Sequence, residues 1–327
     1  MKILVCGGSG FIGSAFIRNY LNNNPENEII NLDSLTIGSN LKNLKKIEQN
    51  KNYQFIKGDI KNQKVVNDLV RDVDTIINFA AESHVDRSIA NPKPFIETNI
   101  LGTYSLLEAT KKYDSLFIHV STDEVYGDAE NEDSFTEKSI INPSNPYSAT
   151  KASADHLVSS YHRTYGIKCI TTRCTNNFGP YQFPEKLIPK TILLAKQNKK
   201  IPIYGTGKNI RDWIYVDDHC NAIIKVIEKG TNESYNISAN NEIDNITIVK
   251  KILKLMDKSE ELIEFVDDRP GHDFRYSMNS TKIRTELGWK ELVNFDEALE
   301  KTVNWYLNNE NWWMGLSQTL QNKKPWK

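Results

Sequence analysis

Two adjacent carboxylates stand at the end of an apolar run, in the segment HVSTDEVYG that covers residues 119–127. Asp123 and Glu124 follow Ser121 and Thr122 there. Burial and mutual repulsion can push the pKa values of neighbouring carboxyl groups apart, so that one keeps its proton while the other ionises. Such a pair could act as a general acid and a general base. A polar turn where a strand reaches solvent is the alternative, and the segment taken alone favours that alternative.

A glycine-rich segment near the N-terminus could bind a phosphate. GGSGFIG, residues 7–13, follows a short apolar run and opens an amphipathic helical pattern. It satisfies G-x-G-x-x-G when counted from Gly8, and a wider spacing when counted from Gly7. Such glycines permit a tight turn and a close backbone approach, which aims a helix N-terminus at a pyrophosphate. A turn needed only to pack a helix on a sheet is the alternative.

An acidic residue follows this turn at the interval expected for the ribose of a dinucleotide. Asp33 ends the apolar run EIINLD, about 20 residues beyond Gly13. A carboxylate there would bind the adenine-ribose hydroxyls and repel a 2'-phosphate, so the sequence predicts NAD rather than NADP. Asp33 could instead cap a helix or form a turn. Asp59, which ends YQFIKGD, is a candidate adenine contact, with a solvated aspartate at a strand end as the alternative.

Tyr147 and Lys151 form a second candidate pair, in the segment NPYSATKASADHL. Four residues of separation place them on one face of the helix that this segment predicts. A nearby ammonium group and the positive end of a nicotinamide would favour the phenolate. Lowering a phenol's pKa from about 10 to the working range requires roughly three units, on the order of 4 kcal/mol. A packed tyrosine beside a solvated lysine is the alternative, but the dinucleotide signature upstream favours catalysis.

The elements that must position these groups follow a β/α rhythm. Short β-rich runs alternate with helical segments through the first half of the chain, and the pattern becomes less regular after Pro180. This predicts an α/β protein with a Rossmann-type, doubly wound parallel sheet, whose ligands bind beyond the carboxyl ends of the strands. We expect a dinucleotide-binding domain at residues 1–175, with sheet elements returning near 212–240. A smaller, interleaved C-terminal α/β substrate domain is expected at 176–211 and 241–327.

Composition limits the partners. The 327 residues include 41 basic and 42 acidic ones, for a formal net charge of −1, and no basic block suggests a nucleic-acid or membrane surface. We therefore expect a small-molecule partner or a second copy of the chain. The N-terminus does not resemble a signal peptide. The four cysteines, at positions 6, 169, 174 and 220, lack C-x-x-C spacing, which favours reduced thiols in a cytoplasmic protein and no bound metal.

Many short segments, in order along nearly the whole chain, resemble the extended short-chain dehydrogenase/reductase family, the NAD-dependent epimerases and dehydratases. The resembling segments are NLDSLTIGSNLKNL, AAESHVDRSI, STDEVYGD, NPYSATKASADHL, TRCTNNFGPYQFPEKLIP, IPIYGTGKNIRDWIYVDDH, DRPGHDFRY and NWYLNNENWW. Within this family the sequence is most similar to the nucleotide-sugar 4,6-dehydratases. The resemblance implies NAD as cofactor and dTDP-glucose as substrate, with UDP-glucose left open.

The resemblance also implies a reaction. Enzymes of this kind pass a hydride through NAD from the 4-position of the sugar to the 6-position. The 4-ketone acidifies the proton at the 5-position, and loss of that proton expels the 6-hydroxyl as water. By resemblance, Asp123 is the acid and Glu124 the base. Thr122 would hydrogen-bond the 4-oxygen together with Tyr147, and Lys151 would hold the nicotinamide ribose and tune Tyr147.

Two sets of binding residues follow from the same resemblance. The implied cofactor-binding residues are Gly7, Gly10, Phe11, Ile12, Gly13, Asp33, Asp59, Ile60, Ala80, Ala81, Asn99, Tyr147 and Lys151. The implied substrate-binding residues are Ser83, His84, Thr122, Asn176, Asn177, Lys186, Leu187, Pro202, Tyr204, Arg211, Arg269 and His272. Arg211 and Arg269 occupy loop-like contexts from which a guanidinium could reach a diphosphate, with surface ion pairs as the alternative.

Other interpretations remain open on the sequence. A nucleotide-sugar 4-epimerase would keep Tyr147 and Lys151 without requiring Asp123 and Glu124. A decarboxylating enzyme would need a site for a uronic-acid carboxylate, and a non-catalytic NAD-binding sensor belongs to a different class. Helices after Pro92 and after Tyr147 resemble those that pair across a homodimer, which we therefore expect. The aromatic residues at 305, 306, 312 and 313 are expected to form core rather than a ligand platform.

Overall fold

The computed structural model describes residues 1–129 and 133–316, and strands alternate with helices along them. The strands are β1 (Lys2–Cys6), β2 (Glu28–Asp33), β3 (Tyr53–Lys57), β4 (Thr75–Asn78), β5 (Leu116–Thr122), β6 (Cys169–Cys174), β7 (Asn176–Phe178), β8 (Ile201–Tyr204), β9 (Ile210–Tyr215), β10 (Ser234–Ile237), β11 (Glu242–Asp244) and β12 (Ile263–Val266). The α-helices are α1 (Phe11–Asn23), α2 (Gln63–Val70), α3 (Val85–Ala90), α4 (Lys93–Phe95), α5 (Thr103–Tyr113), α6 (Pro146–Tyr165), α7 (Leu187–Lys196), α8 (Val216–Lys229), α9 (Asn245–Leu255), α10 (Thr281–Leu287), α11 (Phe295–Asn308) and α12 (Glu310–Trp313). A π-helical segment covers Ile96–Gly102, and 3₁₀ segments cover Leu41–Ile47, Asp123–Tyr126 and Glu260–Leu262.

The predicted doubly wound parallel sheet is confirmed. Within the described residues it has seven parallel strands in the order β10-β6-β5-β4-β1-β2-β3. The chain reverses direction across the sheet between β1 and β4, and ligands of such sheets bind at the carboxyl ends beside that point. Cys6, Asp33 and Thr122 are the last residues of β1, β2 and β5. The glycine turn, the acidic residue and the carboxylate pair therefore all lie at the carboxyl ends of the strands, on one side of the sheet.

Side chains of β1 point alternately to the two faces of the sheet, and both faces are buried. Ile3 and Val5 belong to a core cluster with residues of α1 and α8, including Phe16. Leu4 belongs to a second cluster with residues of α2, α5 and α6, including Leu106. Each such side chain contributes roughly 1.5–3 kcal/mol of hydrophobic stabilisation when it is fully buried. The sheet edge is thus held rigidly between two layers of helices.

A smaller unit of the fold lies over the carboxyl ends of these strands. Strands β11, β9 and β7 form one sheet and β12 pairs with β8, while α7, α9, α11 and α12 share a core with them. The aromatic cluster expected in the core is there, with Tyr306, Trp312 and Trp313 buried and Trp305 packed against them.

The course of the chain between the two units follows the predicted division only in part. Strand β6 ends in the large sheet at Cys174, and β7 begins in the small sheet at Asn176. Of the segment expected to return to the large sheet, β10 does so, whereas β9 pairs in the small sheet. Residues 317–327 of the predicted substrate domain lie outside the described residues.

None of the helices in the described ranges is long and apolar enough to cross a bilayer. The four cysteines are free and buried. Across 1–129 and 133–316, no group of three His, Cys, Asp or Glu side chains gathers in a way that could hold a metal ion.

Candidate active site

The glycine turn between β1 and α1 is too crowded for other residues at two positions. Gly7 has a φ of +76°, and a Cβ there would lie 2.6 Å from the backbone nitrogen of Ala80. A Cβ on Gly13 would lie 2.4 Å from the carbonyl oxygen of Gly7. Glycine is therefore required where the turn meets β4 and where α1 begins. No side chain caps α1 at Gly10, so N–H groups of its first turn remain available to a pyrophosphate.

Asp33 is fixed directly beside this turn. It is 4% exposed at the end of β2. Its Oδ2 accepts a hydrogen bond of 2.9 Å from the backbone N–H of Ser9, and its Oδ1 accepts one of 2.8 Å from the N–H of Leu35. Each carboxylate oxygen keeps a further lone pair, which suits the hydroxyls of a ribose. A 2'-phosphate in the same place would meet a like charge.

One cleft of about 420 Å³ brings the glycine turn, the carboxylate pair and the Tyr147–Lys151 pair together. That volume lies within the range of roughly 300–1,000 Å³ that ligand pockets have. The implied cofactor-binding residues that line it are Gly7, Gly10, Phe11, Ile12, Gly13, Asp33, Asp59, Ile60, Ala80, Ala81, Tyr147 and Lys151. The implied substrate-binding residues that line it are Ser83, Thr122, Asn176, Asn177 and Lys186. These donors and this shape fit a dinucleotide with a second ligand beside it.

Asn99 lies behind the cleft lining rather than in it. It is buried in the π-helical segment, where its Oδ1 accepts from the N–H of Glu82 at 2.9 Å. Its Nδ2 donates to the carbonyl of Glu82 at 3.0 Å and to Thr150 Oγ1 at 2.9 Å. Thr150 is the neighbour of Lys151 on α6, so Asn99 ties the loop after β4 to the helix of the Tyr147 pair.

The cleft also contains side chains that the sequence analysis did not name. They include Glu82, Thr175, Gln182 and Phe183. Glu82 lies in the segment AAESHVDRSI, and the others lie in TRCTNNFGPYQFPEKLIP, so the resembling segments already contained the signal. Burial raises the pKa of Glu82, which places a second poorly solvated carboxyl group at the cleft.

The turn after β5 directs the two adjacent carboxyl groups. Thr122 caps the 3₁₀ segment, because its Oγ1 accepts from the N–H of Glu124 at 3.4 Å. The same hydroxyl donates to Asp123 Oδ1 at 3.0 Å. Asp123 is only 3% exposed, whereas Glu124 is partly exposed and its Oε2 is reached by Asn145 Nδ2 at 3.4 Å and by the Tyr276 hydroxyl at 3.5 Å.

Burial separates the chemistry of this pair. Burial and then the charge of Glu124 raise the pKa of Asp123 well above its ordinary value of 3.8. Asp123 therefore keeps its proton to a higher pH than an ordinary aspartate does, and within the described chain no group hydrogen-bonds its Oδ2. A buried carboxylic acid facing the cleft can donate a proton to a leaving group. A neutral acid beside a more exposed carboxylate is the arrangement that acid/base catalysis by two carboxyl groups needs.

Tyr147 and Lys151 lie together in the first turns of α6, as expected, but their electrostatics differ from the expectation. Lys151 Nζ donates to the carbonyl of Val120 at 2.7 Å and lies 3.5 Å from His119 Nε2. Burial lowers the pKa of Lys151 to about 8. Burial, followed by the charge of Glu124, raises the pKa of Tyr147 well above 10. The protein's own groups therefore do not lower the pKa of Tyr147, because desolvation and the charge of Glu124 outweigh the hydrogen bond with Thr122.

A buried polar chain connects Lys151 to the carboxylate turn. His119 Nε2, which neighbours Lys151, lies 3.6 Å from Asp155 Oδ1. Arg173 Nε donates to Asp155 Oδ2 at 2.8 Å, and Arg173 Nη1 donates to the hydroxyl of Tyr126 at 2.7 Å. Tyr126 ends the 3₁₀ segment that carries both carboxyl groups. No local sequence pattern indicates this network of polar side chains, because its members belong to four separate elements.

A second polar cluster lies outside the cleft lining. Tyr204 and Arg269 of the implied substrate set belong to it. The members of that set that do not line the cleft as the described residues define it are His84, Leu187, Pro202, Tyr204, Arg211, Arg269 and His272. Arg269 Nη1 pairs with Asp86 Oδ1 at 2.9 Å, and the Tyr204 hydroxyl donates to Asp86 Oδ2 at 3.0 Å. Arg269 Nε has no hydrogen-bond partner in the described part of the chain. The charge of Arg269 also lowers the pKa of Lys186, after burial, so the two clusters adjoin.

Arg211 lies on β9, so the loop-like context predicted for it was wrong. The segment becomes a strand because β7 and β11 pair with it on both sides. Its guanidinium donates to the carbonyls of Asp273 at 2.8 Å and Phe274 at 3.1 Å, and lies 4.1 Å from the ring centroid of Tyr276. Arg211 therefore holds the segment that follows Arg269.

The remaining residues of the implied substrate set have structural contacts of their own. Burial lowers the pKa of His84 to about 3 and, first among several causes, that of His272 to about 4. His272 Nδ1 lies 2.6 Å from Asp268 Oδ1. Leu187 begins α7 and packs against the small-domain core, and Pro202 lies within β8.

Known proteins share this arrangement. Residues 4–302 match the model of the family described as GDP-mannose 4,6 dehydratase. The chain is 47% identical to the dTDP-glucose 4,6-dehydratase of Escherichia coli, over 96% of this chain and 95% of that protein. The solved dTDP-glucose 4,6-dehydratase of Bacillus anthracis, in complex with NAD, superposes with a TM-score of 0.91 at 46% identity, over 97% and 99% of the two chains. DesIV, a dTDP-glucose 4,6-dehydratase of Streptomyces venezuelae solved with NAD bound, gives 0.95 at 43% identity, over 97% and 100%.

These matches extend over both units of the fold, and therefore over the cleft between them. The sugar named in the family description differs from the sugar named for the relatives, so the family is established more broadly than the substrate. The chain belongs to the GDP-mannose 4,6 dehydratase family, within the extended short-chain dehydrogenases/reductases that its sequence resembles, and dTDP-glucose 4,6-dehydratases are among its full-length relatives.

Proposed function

We propose that this chain is an NAD-dependent hydro-lyase that converts dTDP-glucose to dTDP-4-keto-6-deoxyglucose and water. One observation carries the proposal: Asp123 and Glu124 line the same cleft as Tyr147, with Asp123 buried and its pKa raised well above 3.8, and with Glu124 more exposed. Epimerisation at the 4-position needs the tyrosine alone, whereas elimination of water needs a further acid and base. The names of the relatives select dTDP-glucose over the sugar of the family description.

NAD fits the cleft through groups that this chain supplies. Bound NAD would provide a hydride acceptor for the 4-position of the sugar and a hydride donor for the 6-position. The uncapped first turn of α1 would hold the pyrophosphate, and Asp33 would hold the adenine ribose. Lys151 is placed to hold the second ribose next to Tyr147.

Tyr147 and Thr122 act on the 4-oxygen of the sugar. Tyr147 takes the proton of the 4-hydroxyl, and Thr122 hydrogen-bonds the same oxygen. A hydrogen bond with Thr122 lowers the pKa of Tyr147, although burial dominates and raises it. Proton transfer therefore requires positive charge near the ring, and Lys151, with a pKa of about 8, carries such a charge at neutral pH.

Asp123 and Glu124 carry out the elimination. Glu124 removes the proton at the 5-position, which the neighbouring 4-ketone has acidified. The C6–O bond breaks, and Asp123 gives its proton to the departing hydroxyl, so that one water forms. Afterwards the proton on Glu124 exchanges with solvent and Glu124 returns one proton to the 5-position, while Tyr147 releases the proton of the 4-hydroxyl to solvent and Asp123 recovers a proton from solvent. The high pKa of Asp123 keeps it in the form that this step requires.

Cations beside the cleft suit a nucleoside diphosphate. Lys186 Nζ donates to the carbonyl of Ser83 at 3.0 Å at the cleft wall. Arg269, held by Asp86, offers its unpartnered Nε, and Arg211 holds the segment beyond it. A guanidinium with a spare donor is well shaped for a phosphate oxygen. We assign the diphosphate to Lys186 and Arg269, with Arg211 in support.

A homodimer is part of this proposal. Leu101 and Tyr104, at the junction of the π segment and α5, are 51% and 46% exposed, and Tyr165 at the end of α6 is 54% exposed. Lys111 on α5 lies 4.5 Å from the ring centroid of Tyr165, so these helices form one apolar surface. A second copy related by a two-fold axis would cover it. Light scattering of the wild type and of Leu101→Glu should give a dimer and a monomer, respectively.

A cytoplasmic location is also proposed. Support comes from the four cysteines, which remain free although the core is well formed. Compartments that keep thiols reduced are the usual setting for such proteins.

The decisive experiment incubates the purified protein with dTDP-glucose and, in parallel, with UDP-glucose in deuterated water. We expect a 4-keto-6-deoxy product from dTDP-glucose with one solvent deuterium at the 5-position. Turnover of UDP-glucose alone would move the substrate to uridine. Formation of galactose would identify an epimerase, and absence of product and of deuterium with both sugars would refute dehydration.

A further inference from the structure

The side chain of Asn43 links the glycine turn to the C-terminal helix α12. It is 2% exposed and lies in the 3₁₀ segment after β2. Its Nδ2 donates to the carbonyl of Ser9 at 3.0 Å, and its Oδ1 accepts from Trp312 Nε1 at 2.8 Å. The carbonyl can only accept and the indole N–H can only donate, so the orientation of the amide is determined. Residues far apart in sequence thus meet at one side chain.

Ser9 is the residue of the turn through which this link acts. Its N–H donates to Asp33 Oδ2 at 2.9 Å, and its hydroxyl accepts from Asn31 Nδ2 at 3.1 Å. Its carbonyl accepts from the N–H of Asn40 at 2.9 Å in addition to the Asn43 amide. Every polar group of Ser9 is therefore bonded, and these bonds fix the backbone between Gly8 and Gly10 at the wall of the cleft.

A second contact supports Asn43 from helix α1. Arg18 on α1 donates from Nη1 to the carbonyl of Asn43 at 2.8 Å. The guanidinium of Arg18 lies 4.4 Å from the ring centroid of Tyr181, and that ring lies 5.8 Å from the ring of Trp312. Arg18 and Trp312, which both hydrogen-bond Asn43, thus pack against the ring of Tyr181 in the smaller unit, which limits the movement of Asn43.

From these contacts we propose that Trp312, acting through Asn43, is a positioning residue for the cofactor site. The indole keeps the Asn43 amide turned toward Ser9, and the amide keeps the glycine turn in the shape that receives a pyrophosphate. Without the indole donor, the amide can rotate and the turn samples shapes that do not bind. Retention of NAD therefore depends on α12, which belongs to the other unit of the fold. This inference rests on the proposed function, because it assumes that NAD occupies the cleft.

Adjacent tryptophans provide a matched test. Trp312 and Trp313 are both buried on α12, at 8% and 5% exposure, but Trp313 Nε1 donates to the carbonyl of Tyr306 within the smaller unit. Trp312→Phe and Trp313→Phe each remove one indole N–H and keep an aromatic ring. Since a single hydrogen bond is involved, we expect Trp312→Phe to raise the dissociation constant for NAD roughly three- to tenfold, with Trp313→Phe near the wild type.

The measurements are NAD release from desalted holoenzyme and equilibrium titration with NAD, alongside thermal unfolding and kcat at saturating NAD. We expect both variants to unfold at similar temperatures and Trp312→Phe to keep its kcat. Asn43→Asp keeps an acceptor for the indole but sets a carboxylate oxygen against the Ser9 carbonyl, so it should lose NAD faster than Trp312→Phe.

Three results would overturn the inference. They are equal NAD affinity in Trp312→Phe and the wild type, equal weakening in the two tryptophan variants, and a lower kcat of Trp312→Phe with unchanged NAD affinity. A wild type that binds no NAD would instead refute the proposed function. The two failures are therefore distinguishable.

Discussion

Replacing Asp123 with asparagine should stabilise the protein at neutral and alkaline pH while abolishing most of its dehydratase activity. Burial raises the pKa of Asp123 well above 3.8, so the folded chain holds a proton there that the unfolded chain releases. Asparagine has nearly the shape of the protonated carboxyl group and can still accept from Thr122 through its amide oxygen. It removes the proton that the leaving hydroxyl needs.

The sign and size of the effect follow from proton linkage. Because the folded state binds one more proton than the unfolded state, stability falls as pH rises from about 4 toward the raised pKa of Asp123. One proton gives a slope of at most about 1.4 kcal/mol per pH unit. The variant lacks this slope. The free energy of unfolding of the variant should therefore exceed that of the wild type only slightly near pH 4. The difference should grow with each unit of pH until the Asp123 carboxyl group ionises in the folded wild type.

Thermal unfolding of both proteins in saturating NAD, at each pH from 5 to 8.5, tests this reasoning. The difference between the midpoints should widen steadily in favour of Asp123→Asn, while formation of the 4-keto product falls by roughly 10²–10⁴-fold. Parallel pH profiles for the two proteins would show that Asp123 is ionised in the folded state. A wild-type rate in the variant would remove Asp123 from the elimination step.

Three further changes test neighbouring parts of the site. Glu124→Gln should leave hydride removal from the 4-position detectable but slow deuterium uptake at the 5-position by roughly 10²–10⁴-fold; unchanged turnover would exclude Glu124 as the base. Asp33→Ser should bring the dissociation constants for NAD and NADP closer together, and an unaltered ratio would contradict the role of the carboxylate. Tyr126→Phe leaves Arg173 Nη1 without its phenol partner, so the free energy of unfolding should fall by roughly 1–3 kcal/mol. We also expect kcat to fall by a larger factor than KM rises. Tyr161→Phe, which loses a hydroxyl bond to the partly exposed Glu108, is the matched control and should change kcat little.

The sequence was sufficient for the large sheet and for the place of the cleft. In sequence, the strands of a parallel sheet are short apolar runs separated by helical patterns. Such local patterns predicted β1, the glycine turn, α1 and Asp33 in the right order. Once those strands are parallel, their carboxyl ends must share one edge. Asp123 and Glu124 then had to lie near the glycine turn, although no local pattern places them there.

Contacts between residues that are far apart in the chain could not be predicted from the sequence. Arg211 reads as a loop residue because glycine precedes it closely, and only the pairing of β9 with β7 and β11 makes it a strand residue. Arg269 and Asp86 form an ion pair across 183 positions of the chain. The raised pKa of Tyr147 was missed for a related reason: spacing on a helix shows that Lys151 is near, but desolvation depends on everything that packs around the ring.

The separation of the two carboxyl groups depends on both units of the fold. The large sheet supplies β5 and the turn, which bury Asp123 and leave Glu124 toward the cleft. The smaller unit supplies Arg211, whose charge lowers the pKa of Asp123 and so limits the rise that burial causes. It also supplies Tyr276, whose hydroxyl lies 3.5 Å from Glu124 Oε2 and donates to Asp273 at 2.7 Å. Neither unit alone encloses the pair. The glycine turn and Asp33 can therefore be predicted from the first half of the chain, whereas a buried acid beside a more exposed carboxylate is enclosed only where the second half closes over them.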